Sequence, residues 1–183
     1  RALGLCRDLP PAPAVLDLGC GVGGQTLHLA ERLAGALITA IDSHAPSIER
    51  LRATVAKRGL AERVRPRVGD MAQPGMPPES FDLVWSEGAI YVMGFEAGLR
   101  GWRPLLAPGG HVAVTEACWM RPDPPPECAA FWAEEYPAIR DVPSRLAVIE
   151  ACGYDTVGHF ALPPSAWWND YYRPLEANLS AFR

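Results

Sequence analysis

The residues with the clearest chemical potential form a literal Gly-x-Gly-x-x-Gly, Gly19-Cys20-Gly21-Val22-Gly23-Gly24. Glycines let a ligand lie against the backbone, and a helix starting after such a loop offers N–H groups without intrahelical partners. Asp42 closes the next apolar run, where a carboxylate can accept both hydroxyls of a ribose. Loop and acid together point to a nucleoside-containing cofactor. On these residues alone, a dinucleotide and any other adenosine cofactor are both allowed. If the glycines only made a tight turn and Asp42 only capped a helix, their joint occurrence at this separation would have no reason.

A loop of this kind needs a strand to feed it and a helix to leave it. Residues 14–18 are a short apolar run between prolines (Pro10, Pro11, Pro13) and the glycines, and read as a buried strand. Residues 25–34 place Leu27, Ala30 and Leu33 on one helical face, with Gly35 as the stop. A second strand covers 37–41 and ends at Asp42. Residues 43–58 carry Ile48, Leu51 and Val55 at helical spacing; Ser43 is the expected N-cap, Pro46 fits the first turn, and Gly59 stops the helix. Pro66 cannot donate to a ladder, so a third strand at 64–68 belongs at a sheet edge. A fourth strand at 81–85, a helix over 95–106, a Pro108-Gly109-Gly110 turn and a fifth strand at 111–115 follow. Helices are expected at 127–136 and 144–152, the latter stopped by Gly153, and a sixth strand at 156–162. This alternation predicts an α/β fold: a doubly wound, mostly parallel sheet in three layers, α-β-α. An order of 3-2-1 with strand 4 added beside strand 1 opens a crevice at the carboxyl ends of strands 1 and 4.

The residues around the loop separate the cofactors. Val15-Leu16-Asp17-Leu18-Gly19-Cys20-Gly21-Val22-Gly23 resembles motif I of class I S-adenosylmethionine-dependent methyltransferases. Ala40-Ile41-Asp42-Ser43 resembles that family's ribose-binding strand end, and Gly69-Asp70-Met71 the turn that meets the adenine. Phe81-Asp82-Leu83-Val84-Trp85-Ser86 is similar to motif IV, and residues 105–114 to the turn into the fifth strand. The likeness covers about 14–116 in the right order, with the closest look to the small-molecule ubiquinone/menaquinone-type group. It implies a Rossmann-like fold, S-adenosyl-L-methionine as methyl donor and S-adenosyl-L-homocysteine as product. It also implies roles for residues: Asp17 and the backbone of Gly19, Cys20 and Gly21 at the amino-acid end, Asp42 and Ser43 at the ribose, Asp70 and Met71 at the adenine, with Gln25 a further cofactor-binding residue. Ser86 would line the mouth through its backbone. A nicotinamide oxidoreductase rests only on the glycine pattern.

Methyl transfer from a sulfonium is an in-line displacement, so a protein mainly aligns the partners and excludes water. A base is needed only where the acceptor must lose a proton. Glu87, just beyond the fourth strand, is the first candidate, with Glu116 weaker and His111 and His159 read as structural. Ser86-Glu87 with Glu96 resembles, in part, the paired glutamates of protein arginine methyltransferases, so a guanidino acceptor is a minor reading. Trp119, Phe131, Trp132, Tyr136, Trp167, Trp168, Tyr171 and Tyr172 suit an apolar or planar small acceptor, or simply cover the sheet.

With 183 residues, 49% hydrophobic and 21% charged, the chain has the make-up of one ordered domain, 1–183, with a cofactor core at 14–116 and acceptor-side elements at 117–183. A net charge of −4 argues against a nucleic-acid partner. No stretch approaches the roughly 20 apolar residues of a membrane span, so no membrane partner is expected. Cys6, Cys20, Cys118, Cys128 and Cys152 lie apart as singles, which fits reduced thiols in a cytoplasmic protein and no metal site. The oligomeric state stays open. The family usually ends on a seventh, antiparallel strand between the fifth and sixth. Residues 166–181 instead have helical spacing, so that strand is expected to be absent, and the sequence to be a fragment or to borrow a strand from a partner.

Overall fold

The computed structural model describes residues 1–179, apart from the side chains of residues 170 and 171. Five parallel strands form one sheet in the order β3-β2-β1-β4-β5: β1 (Ala14–Leu18), β2 (Leu37–Asp42), β3 (Val64–Val68), β4 (Phe81–Ser86) and β5 (Leu106–Val114). The order reverses between β1 and β4, as the sequence predicts, and β3 with its Pro66 is the edge strand.

Alternation on the central strands feeds two cores. Val15, Ile38 and Leu83 pack with Leu27, Leu29 and Ala30 of α1 (Gly24–Arg32) and with Ile48, Leu51 and Val55 of α2 (Ala45–Lys57). Leu16, Leu18, Ile41 and Val84 pack on the other face with Phe95, Leu99 and Trp102 of α3 (Phe95–Trp102). Each strand is therefore apolar at consecutive positions, and three layers result. Trp102 is fully buried and its indole N–H donates to the Met71 carbonyl at 2.8 Å, which fixes the turn after β3.

The carboxyl side carries the remaining elements. A 3₁₀ turn (Ile90–Val92) follows β4, and a two-residue parallel pair joins β6 (Cys118–Trp119) to β7 (Arg140–Asp141). Between these lies α4 (Pro126–Glu135), and α5 (Val142–Ala151) follows, capped by Asp141, whose carboxylate accepts the Ser144 N–H.

Several expectations are corrected. Residues 156–162 form no strand: no strand of the described residues runs beside them, and they lie instead against the N-terminal turn, Gly158 near Leu5 and the Phe160 ring under the Arg1 guanidinium. Ser43 is not the cap of α2; His44 is, and its N–H is taken by Asp42. The helix after β4 stops at Trp102 because Pro104 imposes a 3₁₀ turn (Arg103–Leu105). Pro108-Gly109-Gly110 lies within β5, as a bulge between the pairs Phe81–Leu106 and Leu83–His111. The tail is helical as α6 (Pro164–Trp167), a π-helical stretch (Trp168–Tyr172) and α7 (Arg173–Leu179). The expectation of helix to residue 181 runs past the described residues.

Gly23 has φ +86° and an added Cβ would lie 2.1 Å from Leu51 Cδ1. Gly23→Ala should destabilise the fold by about 2–4 kcal/mol, combining left-handed strain and overpacking, read as a lower denaturant midpoint.

Candidate active site

The glycine loop closes on itself and on the neighbouring strand. The N–H groups of Gly19 and Cys20 both donate to the Ile41 carbonyl (2.8 and 3.1 Å), and the Gly21 N–H donates to Asp42 Oδ2 at 2.8 Å. Three successive loop donors are thus spent inside the protein. The glycines have different duties. At Gly19 an added Cβ would meet Ala89 Cβ at 2.3 Å, so this residue admits the β4 loop, whereas a Cβ on Gly21 (φ +53°) would meet nothing within 4 Å. Gly21 therefore faces open space, and no packing contact of the fold requires a glycine there beyond its positive φ. Cys20 turns its side chain into the α1-side core, and burial pushes its thiol up, leaving only its backbone for the crevice.

Three carboxylates meet at the carboxyl ends of three adjacent strands. Asp17 is the penultimate residue of β1, is 2% exposed, and accepts the Thr26 hydroxyl of α1 at 2.5 Å. Register pairs it with Trp85 of β4, and Glu87 follows two residues on, just past the end of that strand. Burial first, then Glu87 and Asp42, pushes the Asp17 carboxyl up to about 7 against the opposing Thr26 hydrogen bond. Asp42 accepts Gly21 N–H on one oxygen and His44 N–H (2.8 Å) on the other, which leaves outer lone pairs on both. Asp42 thus fixes both the loop after β1 and the residue that precedes α2. Glu87 is half-buried, and burial raises its carboxyl above the usual range. The Trp85 indole N–H, without a hydrogen-bond acceptor among the described residues, works in the opposite direction, as does His28.

The other predicted cofactor residues lie on the segments that follow these strands. Asp70 is exposed and its Oδ1 accepts the Ala72 N–H at 2.8 Å, making a tight turn. Met71 is half-buried in the second core, with its sulfur beside the Gly19 position, so it serves packing and loop together. Gln25 and Ser43 are exposed in the first turn of α1 and after β2. Ser86 is fully buried; its carbonyl accepts the Thr115 N–H at 3.1 Å and its hydroxyl has no partner among the described residues.

On the acceptor side the chain is sewn across strand ends. Gly88 N–H donates to Thr115 Oγ1 at 2.6 Å. Next to Thr115, the Glu116 side chain is 6% exposed and accepts the Tyr136 hydroxyl at 2.5 Å and Arg145 Nη2 at 2.7 Å. Arg145 also donates to the Ala138 carbonyl and lies 4.9 Å over the Phe95 ring. The Tyr136 ring meets Tyr91 edge-on at 5.9 Å. Glu116 is therefore committed to a structural cluster and is not placed as a base. His111 pairs in register with Leu83, short of the strand end, and its Nε2 contacts the Arg7 carbonyl at 2.7 Å. His159 is exposed in the unpaired segment. Glu96 pairs with Arg100 at 2.8 Å on the exposed side of α3, so the two-glutamate grip on a guanidinium is not assembled.

Sequence reasoning missed Thr26, Trp85 and Arg145. Strand alternation, with the order already predicted, could have placed Trp85 opposite Asp17. Nothing local marks Arg145, which reaches Glu116 only through the tertiary fold.

The sequence model of the methyltransferase domain family matches residues 15–110, and the chain belongs to that family. It is 28% identical over 151 residues to phosphoethanolamine N-methyltransferase 3 of Arabidopsis thaliana, covering 82% of this chain and 30% of that one. It is 36% identical over 121 residues to nocamycin O-methyltransferase of Saccharothrix syringae, covering 65% and 41%. The chain spans about a third of the length of the first curated relatives it matches, 30% and 32%. Among solved structures, a Galdieria sulphuraria protein assigned as a sarcosine dimethylglycine methyltransferase superposes with a TM-score of 0.79 at 20% identity, over 98% of this chain and 67% of that one. The [4+2]-cyclase SpnF superposes at 0.69 and 22% identity, over 83% and 55%. The likeness to these structures is one of fold, and a fold alone does not set an activity.

Asp17 in the ligand-free protein is a buried acid whose folded pKa exceeds its unfolded one, so its contribution to stability falls as pH rises from the ordinary carboxylate range through about 7. Asp17→Asn should raise ligand-free stability by about 1–3 kcal/mol above neutral pH. The gain should vanish near pH 4, read by denaturant midpoints across pH.

Proposed function

We propose that this protein is an S-adenosylmethionine-dependent methyltransferase acting on a small molecule, of the class I, small-molecule group its motifs resemble. The observation that carries the reading is the character of the crevice. Asp17, Asp42 and Glu87 gather at the carboxyl ends of β1, β2 and β4, beside a loop whose N–H groups, those of Gly19, Cys20 and Gly21, are already spent on the protein. Such a site suits an ammonium and a ribose and repels a diphosphate, which disfavours a nicotinamide dinucleotide. The space at Gly21 fits a ligand lying on the backbone. S-adenosylmethionine, when bound, supplies a methyl group activated on a sulfonium.

The chain's own residues then bind, orient and exclude water. Asp42 offers its outer lone pairs to the ribose hydroxyls, Asp17 its buried charge to the ammonium, and the 69–71 turn, pinned by Trp102, borders the adenine. Gln25, Ser43 and the backbones of Cys20 and Ser86 complete the wall. Glu87 is the base for a neutral acceptor, because it lies at the lip of the crevice and its raised pKa favours proton uptake. The Tyr91–Tyr136 pair offers an aromatic surface suited to an apolar or planar acceptor. Relatives named for phosphoethanolamine, tocopherol and sterols support a small acceptor without choosing one. No helix among the described residues is long and apolar enough to cross a membrane. A cytoplasmic setting belongs to this reading, supported by five cysteines kept apart as free thiols.

Calorimetry of the dialysed protein should show binding of S-adenosylhomocysteine and none of NAD; the reverse would overturn the reading. Gly21→Val should abolish that binding in a folded protein, since its side chain would fill the open space. Asp42→Ala should weaken it by about 1–3 kcal/mol. Once a screen with labelled donor yields an acceptor, Glu87→Gln should slow turnover without abolishing donor binding. An unchanged rate would remove Glu87 as the base.

A further inference from the structure

We propose that Tyr91 is the acceptor-contacting residue of this site, stacking on an aromatic ring, and that Tyr136 is the residue that positions it. The inference rests on the small-molecule methyltransferase reading and narrows its acceptor from apolar or planar to aromatic. The loop that carries Tyr91 is seated on the glycine loop: an added Cβ at Gly19 would lie 2.3 Å from Ala89 Cβ. Next in the chain, Ile90 is fully buried against α3, where an added Cβ at Gly98 would lie 2.6 Å from its Cγ1. The Val92 N–H donates back to the Ala89 carbonyl at 3.0 Å. The short turn is thus fixed on both sides of Tyr91, while Tyr91 itself is 52% exposed.

An exposed tyrosine on a turn ordinarily moves among several rotamers. Here Tyr136 restrains it, meeting its ring edge-on at 5.9 Å and 70°. Tyr136 is buried and is held in turn from its far end. Its hydroxyl donates to Glu116 at 2.5 Å and accepts from Arg145 Nη2 at 3.1 Å, and the same guanidinium lies 5.9 Å over its ring. Glu116 and Arg145 are themselves paired at 2.7 Å, with side chains only 6% and 11% exposed. The phenol proton is thereby committed, and the group stays protonated at neutral pH, because burial first and Glu116 second push it up to about 12. Tyr136 has no proton to exchange with a substrate, so its effect on one passes through Tyr91. An aliphatic acceptor would gain as much from a mobile ring as from a fixed one, since burial of apolar area is non-directional. Ring stacking is directional and rewards a ring held at a set angle. A buried ion pair spent on fixing one phenol ring therefore favours an aromatic acceptor on the open face of the next.

The test is fluorine NMR of the chain carrying 3-fluorotyrosine at its five tyrosines, saturated with S-adenosylhomocysteine, the Tyr91 line being assigned through Tyr91→Phe. Phenol is the aromatic probe and cyclohexanol its non-planar counterpart of similar size. Phenol should shift the Tyr91 line saturably and cyclohexanol should not. Phenol affinity, read from the relaxation of its own protons, should fall about two- to tenfold in Tyr91→Leu and be kept in Tyr91→Phe. Tyr136→Leu should lose the same factor, and the double variant no more than either single, with S-adenosylhomocysteine affinity within about twofold throughout. Additive losses, equal shifts from the two probes, or no saturable response to phenol would overturn the proposal. So would a loss of S-adenosylhomocysteine binding confined to the variants, which would mark the two rings as structural. If Tyr136→Leu does not fold, Tyr136→Phe keeps the ring and loses only its hydroxyl bonds: the Tyr91 line should move and phenol affinity fall, and no change in either would overturn the positioning role. A folded wild type that bound no S-adenosylhomocysteine would instead overturn the cofactor reading, and this inference with it.

Discussion

A carboxylate buried at the end of the central strand is the group around which the site is arranged. Asp17 has lost its water, is opposed by two other acids, and has a single hydroxyl, that of Thr26, to offset this. Such a group is stable only if the surrounding structure is rigid enough to prevent relief by local opening. The rigidity comes from the two cores that grip β1 on both faces and from the loop that follows it, whose amides are tied to Ile41 and Asp42. On the proposed function, stability is given up at the point where a positive charge is to be received. This is the usual trade between a preorganised site and a relaxed one.

The coupling between strands gives the crevice its shape. Asp42 joins the loop after β1 to the start of α2 through Gly21 and His44, and Trp102 joins α3 to the turn after β3 through Met71. Thr115 joins β5 to the β4 loop through both Ser86 and Gly88. The ends of β1 and β2, and those of β4 and β5, are therefore linked by polar bonds as well as by the sheet. Beyond them the Glu116–Tyr136–Arg145 cluster anchors the acceptor-side segment, with the Tyr136 phenol pushed up to about 12 mainly by burial and secondarily by Glu116.

Much of this was legible in the sequence because its signals are local or periodic. Apolar runs, the glycine loop and Pro66 were enough for five strands and their order, since a parallel sheet buries both faces and a proline strand must be at an edge. The strand expected at 156–162 failed for the complementary reason: an apolar stretch becomes a strand only with a ladder beside it, and here it packs on Leu5 and Arg1 instead. Asp17, Asp42 and Glu87 were identified by position. That they repel one another was not visible, because their mutual distance is set by register and not by spacing. Glu116 looked like a base from its place after the fifth strand, and only the packing of α5 shows it paired with Arg145.

The bulge in β5 has a bearing on self-association. No strand of the described residues pairs with the outer side of β5, which leaves a row of backbone donors and acceptors of the kind that templates edge-to-edge aggregation. Pro108-Gly109-Gly110 breaks the regular spacing of that row, so only residues 111–114 continue in register beyond it. At its start, the His111 ring is engaged by the Arg7 carbonyl. A foreign strand meeting this edge would find a short ladder, bent at one end and flanked by a segment of the same chain. The turn that delays the fifth strand thereby shortens the ladder offered along this edge.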